Sequence, residues 1–487
     1  MTTRRGAPGA SATPPHRRLA RNLGAMTLGK VVVVASGLVT TGWLARALGP
    51  ENYGILGFGG ALLAYFALMV NLGLSTWAVG EIARDPARVP RLAANILTLR
   101  LLLAGAVYTA YALVVATIEP PGVVRLVLLV QGTQLLAGAL TLDFVYQGIE
   151  RMGVIATREI GAAVFNMMLV VMLVRGPDDV VTAAAVTAAA LVINALLMLA
   201  RYIRDFAVPW PRIDTALWRG MLVTTAPLAV SLVAWAVHQN LDMVMLGFMA
   251  PREQVGLYAA AYKVLLLVGM VAGIVMNVFL PALASAHGDL AAMRRRMAAY
   301  ATAMALVGAP MAAGGLLLAP EILWVVFGAR FVEAAPALRL LMAAGALVFI
   351  NMTLGNPLLV WHRQKAYMVA MLAGAVTNAA LNIVLIPRWG IEGAAAATLA
   401  AEVVSFIGML ALHLRTVGRL PIGIFVRAAT AIGVAAVAVL LLLPRLTLPP
   451  WSVFLIAGAV LIGIYGLLLP MTGLVRLSRV RALLESP

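Results

Sequence analysis

Cysteine is absent from the 487 residues, so neither a disulfide framework nor a thiolate metal site is available, and the redox compartment is left open. Charge is scarce. Only 11% of residues are Asp, Glu, Lys or Arg, where a soluble domain carries about 25%, which excludes a soluble fold. The HExxH and GxSxG patterns do not occur, and the five histidines are scattered singly, so metalloprotease, serine-hydrolase and His-cluster metal chemistry are not indicated. What is there is apolar: 63% hydrophobic residues and a mean hydropathy of +0.98 place the chain in a bilayer. The formal charge of +17 reports loop orientation before any ligand, and no nucleic-acid partner is expected.

Apolar runs of roughly 20 residues, one bilayer crossing each, recur along the chain. They predict fourteen helical spans near 22–46, 54–80, 92–116, 123–147, 155–174, 180–203, 218–249, 255–284, 297–319, 337–360, 366–386, 393–414, 424–443 and 451–473. The expected fold is therefore an all-α polytopic membrane protein. Residues 1–20, rich in Gly, Pro and Arg, read as a flexible basic tail rather than a cleaved signal, and 475–487 as a second tail. Lysines and arginines concentrate in the tails and in every second loop, as in Arg84/Arg88/Arg91, Arg201/Arg204/Arg212/Arg219 and Arg294–Arg296. The positive-inside rule then puts both termini in the cytoplasm, with a multi-pass protein in the inner cell membrane. The outward loops, such as 119–122, 175–179 and 387–390, are short and turn-like.

Two segments match across the chain. LGPENYG (48–54) parallels LGFMAPREQVGLY (246–258), with Gly54 and Gly256 offset by 202 residues; the runs beginning at Asn166 and Asn382 repeat an apolar strip, a turn and an Ala-rich span at an offset of 216. Six spans per unit is an even number, so the units insert in the same orientation as a parallel repeat. The expected divisions are a six-helix lobe over 21–204, an interfacial linker over 205–217, a second six-helix lobe over 218–416 and two added helices over 417–474.

LARALGPENYG (44–54), NLGL (71–74) with EIAR (81–84), LDMVMLG (241–247), VGLYAAAYK (255–263) and NAALNIVLIPRWGIEGAAAATLAAE (378–402) occur in that order across both halves. In them the chain resembles the polysaccharide-transporter branch, the Wzx-like oligosaccharide flippases, of the multidrug/oligosaccharidyl-lipid/polysaccharide exporter superfamily. The resemblance implies six-plus-six helices around a central cavity. It also implies ion-coupled or otherwise energised outward movement of polyprenyl-diphosphate-linked oligosaccharides, with polysaccharide polymerase and export proteins as possible partners. It implies no catalysis and no cofactor. The alternatives are a lipid-linked cell-wall precursor flippase, a cation-coupled multidrug exporter, and a membrane-embedded glycan polymerase or ligase, the last opposed by the short outward loops.

Charges within spans are costly and hence the best site candidates. Lys30 and Arg100 each lie about eight residues from the basic end, roughly 12 Å deep at 1.5 Å per residue, and are expected to receive the diphosphate headgroup; the alternative is a structural ion pair or snorkelling. Asp143, near the same layer, is a candidate partner for either. Asp242 and Lys263, on consecutive spans, are expected to form a latch or gating pair. Glu402 is the candidate proton carrier, with helix packing as the alternative, and Arg46 is expected at the outer mouth. Pro227, Pro310 and Pro357 interrupt spans as candidate hinges. GAMTLGK (24–30) imitates a phosphate loop, but Val31 stands where Ser or Thr would hold magnesium, and the motif lies in a predicted helix.

Overall fold

The computed structural model describes residues 15–474, with backbone alone for 15–28, 234, 235, 237 and 238; the two predicted tails lie largely outside the described residues. The described chain is helical apart from its connections, without a β-strand among those residues. Twelve continuous stretches are long and apolar enough to cross a membrane. Two of them, of 56 and 54 residues, would each run about 80 Å if straight, against a hydrocarbon core of about 30 Å. Each is broken by glycine.

Helix α1 (Pro15–Asn71) turns at Gly49 (φ 75°, ψ 172°), where Pro50 follows, and so supplies the first two spans. α2 (Leu74–Arg84) continues the second after a left-handed step at Leu72 and Gly73. The third is α3 (Val89–Ile118); the fourth is assembled from α4 (Val123–Gly132), α5 (Gln134–Ala139) and α6 (Asp143–Gly148). α7 (Met152–Leu173) and α8 (Val180–Asp205) complete the first half. A non-helical stretch over 206–214 leads to α9 (Thr215–Met249), α10 (Arg252–Ala284) and α11 (Leu290–Leu317). Next comes α12 (Ala319–Phe327), a short helix where the sequence shows only a connection, then α13 (Ala335–Val360). α14 (Gln364–Val417) is the second double span, turning at Gly390 (φ 54°, ψ −127°). The last spans are α15 (Ile422–Leu442) and α16 (Pro450–Met471). Fourteen crossings result, as expected.

Positive φ explains both breaks. An L side chain in the left-handed region suffers a Cβ clash that glycine avoids, so a long apolar helix can reverse direction there without a loop. The phosphate-loop look-alike at 24–30 is continuous helix.

Packing follows from small residues. Gly308 lies beneath the Phe349 ring, and Gly374 opposes Ser405 and the Ala401 carbonyl, the close helix approach that membrane bundles use in place of a hydrophobic driving force. The two added helices form their own core, in which Ala431, Ala435 and Ala457 meet Leu318, and Tyr465 donates to the Ala305 carbonyl at 3.2 Å. They therefore attach to the second half. The start of α9 does the opposite: Met221 is buried against Tyr146 and Tyr202 of the first half, and Trp218 packs beside them.

Candidate functional site

At the end of the bundle away from the arginine clusters, the two halves touch backbone to backbone. A Cβ on Gly54 would run into the Arg252 carbonyl and the Gly256 nitrogen; a Cβ on Gly256 would run into the Pro50 carbonyl and the Gly54 nitrogen. Pro50 and Arg252 carry the same 202-residue offset as Gly54 and Gly256. The contact is thus reciprocal, the signature of a local two-fold relation. Around it Arg252 pairs with Glu119 and lies 4.6 Å from the centre of the Phe58 ring, while Tyr53 meets Phe331 edge-on at 5.7 Å. Arg46 closes the rim by donating to the Trp324 and Val325 carbonyls of α12.

One turn further in, Gly57 approaches Ala259, with 3.1 Å from its notional Cβ to that of Ala259. Positions i and i+4 share a helix face, so Lys263 points the same way as Ala259, toward the space between the halves. Its side chain is exposed. The expected Asp242–Lys263 pair does not form. Asp242 is 7% exposed and accepts instead from Tyr258 Oη (2.8 Å), Asn382 Nδ2 (2.6 Å) and Thr398 Oγ1 (2.6 Å). Asn382 also donates to Asn378 Oδ1 at 3.1 Å, while its own Oδ1 is buried without a partner. Three helices, α9, α10 and α14, thereby converge on one carboxylate, and these three donors are all neutral. The two charges stay apart for a geometric reason: Asp242 turns into the second half and Lys263 out of it.

Glu402 lies on α14, where its carboxylate accepts from Asn351 Nδ2 at 2.7 Å and the same amide reaches the Glu402 carbonyl at 3.0 Å. It is held between α13 and α14.

In the first half Arg100 is 3% exposed. It donates to Asn71 Oδ1 (2.5 Å), Ser75 Oγ (2.7 Å) and the Thr141 carbonyl (3.1 Å), with Phe144 5.8 Å away. Asn71 and Ser75 flank the left-handed step between α1 and α2, so Arg100 ties that break to the fourth span. Asp143 pairs with neither Lys30 nor Arg100; its partner is Arg158 of α7, at 2.8 Å. Arg158 was not singled out, although a charge six residues into a span is the same signal that marked the others. Lys30 is exposed beside α7, where Gly29 faces Ile160. Depth is all that Lys30 and Arg100 share. No group of three or more His, Asp or Glu side chains with metal-binding geometry occurs among the described residues.

The comparisons agree with this architecture. A family model described as "Polysaccharide biosynthesis protein" matches residues 19–287, more than half of the chain. A Shigella dysenteriae protein named as an O-antigen transporter is 23% identical over 377 residues, covering 75% of this chain and 92% of its own. A Haloferax volcanii protein named as the low-salt glycan biosynthesis flippase Agl15 is 25% identical over 171 residues, 35% of this chain and 36% of its own. Among solved structures, the lipid II flippase MurJ in an inward closed conformation aligns over 92% of this chain and 98% of its own, with a TM-score of 0.71 at 15% identity.

Proposed function

The chain belongs to the polysaccharide biosynthesis protein family, and from that premise we propose that it is a flippase for polyprenyl-diphosphate-linked oligosaccharides. It moves them from the cytoplasmic to the outer leaflet for surface polysaccharide assembly. The relatives named as a transporter of O-antigen and a glycan flippase support this reading. The arginine-rich end faces the cytoplasm, by the charge bias of its loops, and both termini lie there in the cytoplasmic membrane. The protein is a transporter and not an enzyme; its ligand is the lipid-linked glycan, handed on to polymerase and export proteins.

The observation that carries the mechanism is the position of Lys263: exposed, on the face of α10 that closes against the first half, about two turns inside the glycine seal. With the outer end shut, a diphosphate entering from the cytoplasmic side meets an ammonium at the head of the cleft, a point charge suited to phosphate oxygens. The polyprenyl tail stays in lipid. Opening of the seal and closure of the basic end then deliver the glycan outward. Lys30, exposed nearer the cytoplasmic end, makes an earlier contact with the headgroup, and Arg100 holds the α1–α2 break on which that end moves. Asp242 supplies the coupling. A carboxylate buried at membrane depth and served by neutral donors presents an uncompensated negative charge to a small coupling cation, and this one links α9, α10 and α14. A cationic-drug exporter is disfavoured by the same Lys263, which would repel its cargo.

The test is mass spectrometry of polyprenyl-linked sugars in cells depleted of the protein against a complemented control. Accumulation of a complete diphosphate-linked repeat unit is expected, and it names the glycan. An unchanged pool would overturn the flippase reading.

A further inference from the structure

At the arginine-rich end of the second half, three chain reversals meet: the turn between α10 and α11, the turn between α13 and α14, and the end of α14. They are fastened to one another. The Trp361 indole donates to the Leu283 carbonyl at 3.0 Å, and the Arg294 guanidinium donates to the Val417 carbonyl at 2.9 and 3.1 Å. Between them lies a cavity of about 430 Å³ lined by His287, Gly288, Trp361, His362, Arg363 and Thr416, among others, with no carboxylate in its wall. That volume is within the usual range for small-ligand sites.

The donors in this corner are unspent. The His287 and His362 rings meet edge to face at 5.2 Å, and neither imidazole nor the Arg363 guanidinium makes a hydrogen bond or ion pair among the described residues. The nearby acid, Asp289, is occupied as the cap of α11, accepting from the nitrogens of Ala291 and Ala292. Thr416 gives its hydroxyl proton to the Leu412 carbonyl and so offers only an acceptor. His362 is held at φ 59°, one of three non-glycine residues with positive φ among those described. That conformation is the left-handed cap that ends α13, closed by the Arg363 nitrogen donating to the Leu358 carbonyl at 2.9 Å. The cap sets the His362 imidazole beside that of His287 in a wall shared with the Arg363 guanidinium, three groups that each carry an N–H donor for an anion.

We propose that this corner binds a phosphate or diphosphate group. The site is separate from the cleft: along α10, Lys263 and the helix end at Ala284 are about 30 Å apart at 1.5 Å per residue. Its ligand is either the headgroup of a lipid carrier at the membrane surface or the free anion, both of which present the same oxygens.

The experiment is calorimetric titration of sodium diphosphate into the detergent-solubilised Lys263→Ala chain, from which the cleft cation has been removed. Saturable binding is expected. Adding His287→Ala, His362→Gly and Arg363→Gln should weaken it at least tenfold with the thermal transition retained, since glycine accepts the left-handed backbone at 362. His362→Gly alone should raise the transition temperature while lowering affinity. Reconstitution in phosphatidylcholine vesicles with and without polyprenyl diphosphate then identifies the source: competition by the lipid assigns a headgroup, its absence the free anion. No saturable binding, or equal affinity in the quadruple variant, overturns the site. Because the assay reads binding and not transport, the flippase reading can fail without it, and the reverse.

Discussion

The two halves share a helical plan but handle charge at membrane depth in opposite ways. In the first, Arg100 is buried and its guanidinium is shared among an amide, a hydroxyl and a carbonyl, while the neighbouring acid Asp143 is matched by Arg158. In the second, the buried charge is a carboxylate, Asp242, served by neutral donors, and the cation one helix away, Lys263, is left exposed. A satisfied buried cation fixes a backbone break; a carboxylate without a cationic partner and a cation without an anionic one remain available to ligands. A repeat preserves the scaffold, here down to the reciprocal glycine contact, and the unmatched charges mark where the halves differ.

The largest effect is expected where the halves are most alike. Gly54→Val and Gly256→Val each place a branched side chain against the other half's backbone, which cannot rotate aside; overpacking of this kind costs about 1–3 kcal/mol. Each should abolish complementation of a depleted strain, and to the same degree, because the two contacts are related by the local two-fold. Tolerance of one but not the other would break the two-fold description of the seal.

Next in size is the contrast between Asp242 and Arg100. Asp242→Asn keeps the shape and most hydrogen bonds but removes the charge, so transport in reconstituted vesicles should fall at least tenfold with a modest change in thermal stability. Arg100→Gln should behave inversely. It leaves the amide and hydroxyl at the α1–α2 break short of a donor, at about 1–3 kcal/mol for each buried group stranded, and should lower the unfolding temperature while the protein that remains folded still transports. If both variants lost transport at unchanged stability, the division into a structural cation and a functional anion would collapse.

Lys263→Ala comes third, with a transport rate expected to fall about tenfold, the equivalent of some 1.4 kcal/mol for one lost charge-assisted contact. Its melting temperature should not move, since the side chain is exposed and makes no ion pair among the described residues. A stability loss would return it to the latch role that its spacing from Asp242 suggested.

Much of this contrast was legible in the residues. Apolar runs gave all fourteen crossings, and the glycine and tyrosine pattern around Gly54 and Gly256 pointed to the repeat whose contact the structure shows. Partners were harder. Asp242 and Lys263 are neighbours in sequence order of spans, yet helix rotation decides which way each points, and that depends on packing with α14, whose Asn382 and Thr398 lie 140 and 156 residues from Asp242. Asn382 carried a signal as a repeat landmark; Thr398, in an Ala-rich stretch, carried none. Arg158 was visible as an intramembrane charge and would have completed Asp143. α12 is nine residues long, too short to stand out from a loop by apolar run.

The smallest effect belongs to the connection between the halves. Asp214, in the non-helical stretch before α9, is bonded to Arg91 at 2.8 Å and accepts from the Leu217 nitrogen at 3.0 Å. Arg91 first and the Leu217 N–H second hold its carboxyl below the usual carboxylate range. A lowered pKa contributes stability above the unfolded value, about 3.9, and that contribution is lost only as the pH falls through the lower folded value. The bond therefore persists throughout the physiological range. It is nevertheless an exposed pair, and such pairs contribute little. Asp214→Asn should leave transport and melting temperature at neutral pH within error, because Met221 and Trp218 already seat the start of α9 on the first half through buried apolar contact. Met221→Ala should do what Asp214→Asn does not. Loss of a buried methionine side chain costs about 2–5 kcal/mol, and it should loosen α9 from the first half, seen as faster proteolysis within 206–214. Equal sensitivity of the two variants would mean that charge, rather than packing, couples the halves at the arginine-rich end.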